Sequence, residues 1–340
     1  MRKLASLLLV LGLVGGGFLF LQKYEVRGLN RVEVVSRDAD PEAEANTTGS
    51  SETTELPPAR RGETLRIASF NIQVLGQSKL AKTLSDGRPV VDILAEVVRH
   101  FDIVAVQEVR SKKQDVLPRF VEAINATGRK YAFVIGERLG RSSSKEQYAF
   151  IYDLETVEID PQSVYTVSGF SRLLHRPPHV ASFRARGPPP EEALTFTLIN
   201  IHTDPDETKQ ELNALDDVIR SVRGKNPAED DVILLGDFNV DDRHLGDVAR
   251  LPHVRWAISS PAKTNTKQTK LYDNLIFNDR ATEEFTKRAG VFDLVREFNI
   301  TTDEATKVSD HFPVWAEFSS REGAGPGRLA AWSGDTTTNR

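Results

Sequence analysis

Six times along this chain an apolar run ends on a side chain able to do chemistry. Ile67-Ala68-Ser69-Phe70 ends on Asn71, Ile103-Val104-Ala105-Val106 on Gln107-Glu108, and Ile199-Asn200-Ile201 on His202. Ile233-Leu234-Leu235-Gly236 runs into Asp237-Phe238-Asn239, Leu271-Tyr272 into Asp273-Asn274, and Val308-Ser309 into Asp310-His311. A single polar residue at the end of a strand is what any chain shows on reaching solvent. A whole set drawn from carboxylates, amides and two histidines is narrower. Carboxylate and amide oxygens are hard ligands for a divalent cation, and imidazoles carry protons near neutral pH. Together they are the groups that attack on a phosphate ester requires.

Elements must bring these endings to one place. Residues 65–71, 103–107, 148–152, 194–202, 232–236 and 272–277 read as strands, mostly continuous in apolar residues, the pattern of strands buried on both faces. Residues 90–100 put Val90, Val91, Leu94, Val97 and Val98 on one side at helical spacing, and 206–220 repeat this with Leu212, Leu215 and Ile219. The class is α/β (α+β).

Composition sets the frame. The 340 residues, 39% of them hydrophobic, suffice for a packed core. A formal net charge of -5 excludes global attraction to nucleic acid, so any phosphate-binding surface must be a local basic patch. The absence of cysteine excludes disulfides, thiolate metal sites and cysteine nucleophiles. Arg2 and Lys3 precede an uncharged apolar stretch over residues 4–21, close to the ~20 residues that span a bilayer. It is expected to be an uncleaved signal-anchor with the catalytic domain outside the cytoplasm; cleavage near Gly15, Gly16 and Gly17 would instead release a secreted or periplasmic protein. The expected organisation is anchor or signal peptide over 1–22, flexible linker over 23–63, folded domain over 64–319 and disordered tail over 320–340.

Several blocks, in order and spacing, resemble one known family. Leu65-Arg66-Ile67-Ala68-Ser69-Phe70-Asn71, Asp102-Ile103-Val104-Ala105-Val106-Gln107-Glu108-Val109-Arg110, Gly140-Arg141-Ser142-Ser143-Ser144-Lys145-Glu146-Gln147-Tyr148, Gly236-Asp237-Phe238-Asn239 and Ser309-Asp310-His311-Phe312-Pro313-Val314 look like the successive signatures of deoxyribonuclease I-like enzymes in the endonuclease/exonuclease/phosphatase superfamily. The resemblance implies a four-layer αββα sandwich with two central mixed β-sheets. It implies Glu108 as principal ligand of Mg²⁺, or Mn²⁺, with Asn71 and Asp310 completing or supporting the site. Asp237 and Asn239 would orient phosphate and water. His202 and His311 would form the acid and base pair, oriented by Glu146 and Asp273 respectively. Arg110 and Arg176 fall where the family contacts phosphate, and Arg141 keeps the Gly140–Lys145 loop basic. His100, His175, His179, His244 and His253 match no such position and read as surface or loop residues.

The departures concern substrate contacts. Ser144 stands where an aromatic stacks in the minor groove, and Gln73 where a basic residue is expected. Ala262 replaces an acidic ligand of a structural Ca²⁺ site, although Thr264 and Thr266 remain, so no Ca²⁺ site is expected there. The leading expectation is a nonspecific nuclease, with DNA favoured over RNA as the partner, the membrane reached through the N-terminal segment, and no protein partner inferred. A lipid-headgroup or small-phosphoester phosphodiesterase of the same fold, and a catalytically silent binding module, are the competing readings. Residues 136–147 and 261–270 are polar and basic rather than apolar, which favours nucleic acid over lipid.

Overall fold

A computed structural model describes residues 24–27, 33–36, 62–141 and 145–323. The expected anchor over 4–21, residue Ser144 and the tail beyond 323 lie outside the described residues. Within the stretch read as linker, Tyr24–Arg27 (β1) and Glu33–Ser36 (β2) pair antiparallel, in a unit of their own.

In the main unit, strand Thr64–Leu75 (β3) shows why the runs are apolar throughout. Leu65 and Ile67 turn to one hydrophobic cluster and Ala68, Phe70 and Ile72 to another, the two-residue alternation of a strand with both faces covered. β3 lies parallel to Ile103–Val109 (β4), and Tyr131–Ile135 (β5), Gln147–Asp153 (β6), Phe285–Val291 (β14) and Val314–Ser319 (β15) complete a six-stranded sheet in the order β14-β15-β3-β4-β6-β5. The second sheet comprises Val157–Ile159 (β7), Tyr165–Thr166 (β8), His179–Ala185 (β9), Thr195–His202 (β10), Val232–Asp237 (β11), Val254–Trp256 (β12) and Asp273–Asn278 (β13). Its order is β12-β13-β11-β10-β9-β7, with β8 on β9, and β10 and β11 are its parallel pair. Both sheets are mixed.

Phe150, Phe183, Phe196, Leu198, Ile233, Leu235 and Leu275 fill the space between the sheets together with Leu65 and Ile67. Helices Val90–Arg99 and Val116–Asn125 pack Leu94, Val97, Leu117 and Phe120 on the outer face of the first sheet, and Leu212, Leu215, Val218 and Val222 cover the second. The layers are helix, sheet, sheet, helix: the αββα arrangement that the resemblance implies.

Three findings depart from the sequence reading. The helix expected over 206–220 is two, Thr208–Leu212 and Leu215–Lys225, broken at Asn213-Ala214. Gly246, opening a 3-10 turn, approaches so closely that a Cβ there would lie 2.9 Å from Asn213 Oδ1 and 3.1 Å from Leu212 Cβ. His179 is no surface residue; it is buried on β9 with its ring stacked on Phe150 at 5.6 Å, and burial lowers its imidazole to about 4. Hydrogen bonds also run past the expected boundary at 319: Ser320 N donates to Glu63 O and Glu322 N to Glu192 O, both at 2.9 Å. Among the described residues no helix is long and apolar enough to cross a membrane.

Candidate active site

Strand register brings the polar endings together. β10, β11 and β13 are adjacent, and His202 is opposite Asp237, which is opposite Asp273, so these three residues form a row across the second sheet. In the first sheet Asn71 is opposite Gln107, next to Glu108. The row needs close backbone approach at Gly236: its φ is 152°, and a Cβ there would lie 1.9 Å from Ile201 O. Glu108 and Asn239 sit in the left-handed region, at φ 62° and 54°, a backbone cost that neighbouring contacts must hold in place. For Glu108 the hold comes from Val74 N, which donates to Oε2 at 2.8 Å.

The two sheets are pinned beside the site. Gln107 Nε2 donates to Asn200 Oδ1 at 2.7 Å, and Asn200 Nδ2 donates to Val106 O and Ala149 O across the interface. Gln107 precedes Glu108, and Asn200 is two residues before His202, so the pin fixes the site halves against each other.

Each histidine takes its carboxylate from the opposite sheet. His202, at the end of β10, has Nδ1 2.8 Å from Oε1 of Glu146, which directly precedes β6. His311, shortly before β15, has Nδ1 2.9 Å from Oδ2 of Asp273 on β13. The two Nε2 atoms then face one oxygen, Asp237 Oδ2, at 3.5 Å from His202 and 3.6 Å from His311. Asn71 Nδ2 donates to that same oxygen at 3.0 Å.

Burial works against the charged form of each group, and the partners decide the outcome. Glu146 is held below the usual carboxylate range, against its burial, by His202, Arg176 and Arg110. Burial opposes a charged His202, but Glu146 and then Asp237 raise it above its ordinary value. His311 is also raised, to about 10, because Asp273, Asp237 and Asp310 together outweigh its burial. Asp273 is itself raised, by burial and by Asp237, against the pull of His311.

The expected substrate and metal residues are not equally placed. Arg110 is half-buried between Glu108 Oε2 at 3.2 Å and Glu146 Oε2 at 3.4 Å. Arg176 is buried, with Nε 3.3 Å from Glu146 Oε1 and 3.2 Å from His202 O, so it braces the Glu146–His202 pair. Arg141 is outside this network; its guanidinium pairs with Glu207 and its N–H donates to His175 Nε2. Asn239 donates from Nδ2 to Thr203 O and from its backbone to Asp237 Oδ1, which fixes the turn. Glu108 groups with Glu146 and His202 as possible metal donors, and Asp237 with Asp273 and His311; Asp310 belongs to neither group and accepts from Gln73 Nε2 at 2.9 Å.

Four residues that the sequence reading did not place in the site support it. Thr264 Oγ1 donates to Asp273 Oδ2 at 2.6 Å, Ser309 Oγ to Asn71 O at 2.6 Å, and His202 N to Tyr148 Oη at 2.9 Å. Glu211, buried on its short helix, accepts from His175 N and from Asp204 N, tying the segment of Arg176 to the segment after His202. Ser309 and Tyr148 lie inside the quoted motifs, a signal that could have found them; Thr264 and Glu211 carry no local signal.

Comparison with known proteins bears on the family and the fold. The family model described as Endonuclease/Exonuclease/phosphatase family matches residues 68–335. Deoxyribonuclease-1-like 1 of Cricetulus griseus is 33% identical over 268 residues, 76% of this chain and 84% of that protein. Deoxyribonuclease gamma of Rattus norvegicus is 30% identical over 266 residues, 74% of this chain and 83% of that protein. Truncated TDP2 of Caenorhabditis elegans, at 16% identity, matches with a TM-score of 0.51 over 76% of this chain and 99% of that one, a likeness of fold.

Proposed function

The chain belongs to the endonuclease/exonuclease/phosphatase family and is a hydrolytic phosphodiesterase; from that premise we propose that it is a divalent-metal-dependent, nonspecific DNA endonuclease of deoxyribonuclease I type. The observation that carries this reading is the convergence of two imidazole Nε2 atoms on Asp237 Oδ2, each ring backed at Nδ1 by a buried carboxylate. A carboxylate at Nδ1 keeps the proton on that nitrogen, so Nε2 is left to exchange a proton at the reacting centre. One ring accepts the proton of the attacking water; the other, charged, gives its proton to the departing oxygen. Asp237 and Asn71 orient the water and phosphate between the rings. Arg110, part exposed beside Glu108, donates to a phosphate oxygen.

The donors fit a divalent cation. Asn71 Oδ1 is buried without a hydrogen-bond partner, and its Nδ2 lies 3.4 Å from Glu108 Oε1, so an orphaned acceptor stands beside a carboxylate in an all-oxygen set. Glu108 and Asn71 would hold Mg²⁺ or Mn²⁺, with Asp310 in support. The ion supplies neutralisation of the charge that builds on the phosphate.

DNA as substrate is supported by the deoxyribonuclease names of the relatives. It is supported also by a cavity of about 470 Å³ whose charged lining is Arg138, Arg141 and Lys145 against one acid, Glu137, a locally basic surface on an acidic protein. The reading includes anchoring of the domain over 64–319 outside the cytoplasm by residues 4–21, which membrane fractionation and protease accessibility of intact cells would test.

The functional test incubates the full chain with supercoiled plasmid, a choline phospholipid and a generic phosphodiester, with Mg²⁺, Mn²⁺ or chelator, alongside His202→Ala and His311→Ala. Nicking that needs metal and is lost in both variants is the expected result. Cleavage of the lipid alone would move the substrate, and no cleavage by folded protein would overturn the reading.

A further inference from the structure

Asp231 directly precedes β11 and Asp237 ends it, so the strand carries one buried carboxylate at each end, ~20 Å apart at ~3.3 Å per residue. Asp237 belongs to the histidine site. Asp231 has no such explanation. It is fully buried, and neither of its carboxylate oxygens makes a hydrogen bond of good geometry, the Thr282 hydroxyl and the Glu284 carboxyl being the polar groups that approach it. Two more oxygens share this condition: Glu284 Oε2 and Thr282 Oγ1, in residues only 6% and 2% exposed. The Thr282 hydroxyl lies against Asp231, so a neutral oxygen as well as the acids is directed into the same buried spot.

Ligand atoms of Asp231, Glu284 and Glu322 lie within 4.8 Å of one another, as do those of Glu229, Asp230 and Asp231. The segments are far apart in sequence: one before β11, one before β14 and one after β15. Burial, and then the charges of Glu284 and Glu229, push Asp231 up to about 10, and burial raises Glu229 to about 7. So many buried acids are stable only if protons or a cation neutralise them. The donors are all hard oxygens drawn from flexible carboxylates, which suits the variable coordination of Ca²⁺ better than the strict octahedron of Mg²⁺.

We propose that Asp231, Glu284 and Glu322, with Thr282 and Glu229 beside them, form a structural Ca²⁺ site at the end of the sandwich opposite the histidines. The site is independent of the phosphodiesterase reading and away from Ala262. Occupied, it ties the segment after β15 to the body of the second sheet. An ion that binds only the folded state raises stability with its concentration.

The test uses the full chain carrying Glu108→Gln, which weakens cation binding at the histidine site. Calorimetric titration with CaCl₂ should give one binding event, and the Tm should rise with Ca²⁺ relative to chelator. Adding Asp231→Asn should abolish both effects while leaving a folded protein, checked by circular dichroism; Glu284→Gln is the second variant if the first does not fold. Two results overturn the proposal. One is a Ca²⁺ response that survives both substitutions. The other is no Ca²⁺ response in the Glu108→Gln chain, with a Tm in chelator that falls as pH rises through about 7, which would make the cluster a store of shared protons.

Discussion

Asp273 touches no substrate in the proposed reaction, yet its Oδ2 holds His311 Nδ1 at 2.9 Å and is itself held by Thr264 Oγ1 at 2.6 Å. Asp273→Asn keeps the shape and removes the charge that fixes the ring's proton. Steady-state plasmid nicking should show kcat reduced by roughly 10²- to 10⁴-fold with KM little changed. A different residue governs acid stability. His179 is neutral and buried with a value near 4 in the folded chain, while the unfolded chain takes up its proton near the ordinary 6.5. Its contribution is therefore present above 6.5 and is lost as pH falls toward 4, by roughly 3 kcal/mol over that window. Urea midpoints of His179→Leu should fall less between pH 7 and pH 4.5 than those of the parent. Asn71, Glu108, His202, Asp237, Asp273 and His311 were legible because each stands at the end of an apolar run, whereas Glu146, Arg110 and Arg176 were reached only through the family resemblance. Thr264 was not legible, because its partner Asp273 is reached only through the folded turn between them, and His179 was misread because a histidine within a strand carries no local mark of burial.

Burial of both faces made elements legible only in part, since β9 and β15 are largely buried and were not read as strands. β3, β4, β6, β10, β11 and β13 are buried along nearly their whole length, and all of them appear in the sequence reading. β14, with Lys287 and Arg288 exposed, and the two-residue β8 carry too little pattern to be seen. The split of the 206–220 helix falls where Gly246 packs closely on Leu212 and Asn213, a tertiary contact that the local sequence does not show. Among the glycines of the described residues, Gly236 tolerates a side chain least. Gly236→Ala places a methyl 1.9 Å from Ile201 O, between the strands that carry His202 and Asp237. It should destabilise the protein by about 3 kcal/mol or more in urea unfolding, and activity per folded molecule should fall as well, since the two strands must part.

At the scale of the molecule, a net charge of -5 means that the proposed DNA substrate must be drawn by a local field. Arg138 and Lys145 line the basic cavity beside the Gly140–Arg141 turn. Arg138→Ala with Lys145→Ala should raise KM for plasmid and leave cleavage of a small phosphodiester unchanged. The dependence of log affinity on log salt should flatten by about 1 for each phosphate that is no longer neutralised.

The crossed pairing of histidines and carboxylates also bears on how the chain comes to life. His202 needs Glu146, and His311 needs Asp273, so each half of the sandwich holds one proton carrier and the other half's orienting acid. A growing polypeptide that has released only its first sheet strands, or even all of the second sheet, has no complete pair of rings. Competence arrives when residue 311 folds back onto residues 237 and 273, after nearly the whole domain has been made. A phosphodiesterase built this way becomes active only when its own assembly is finished.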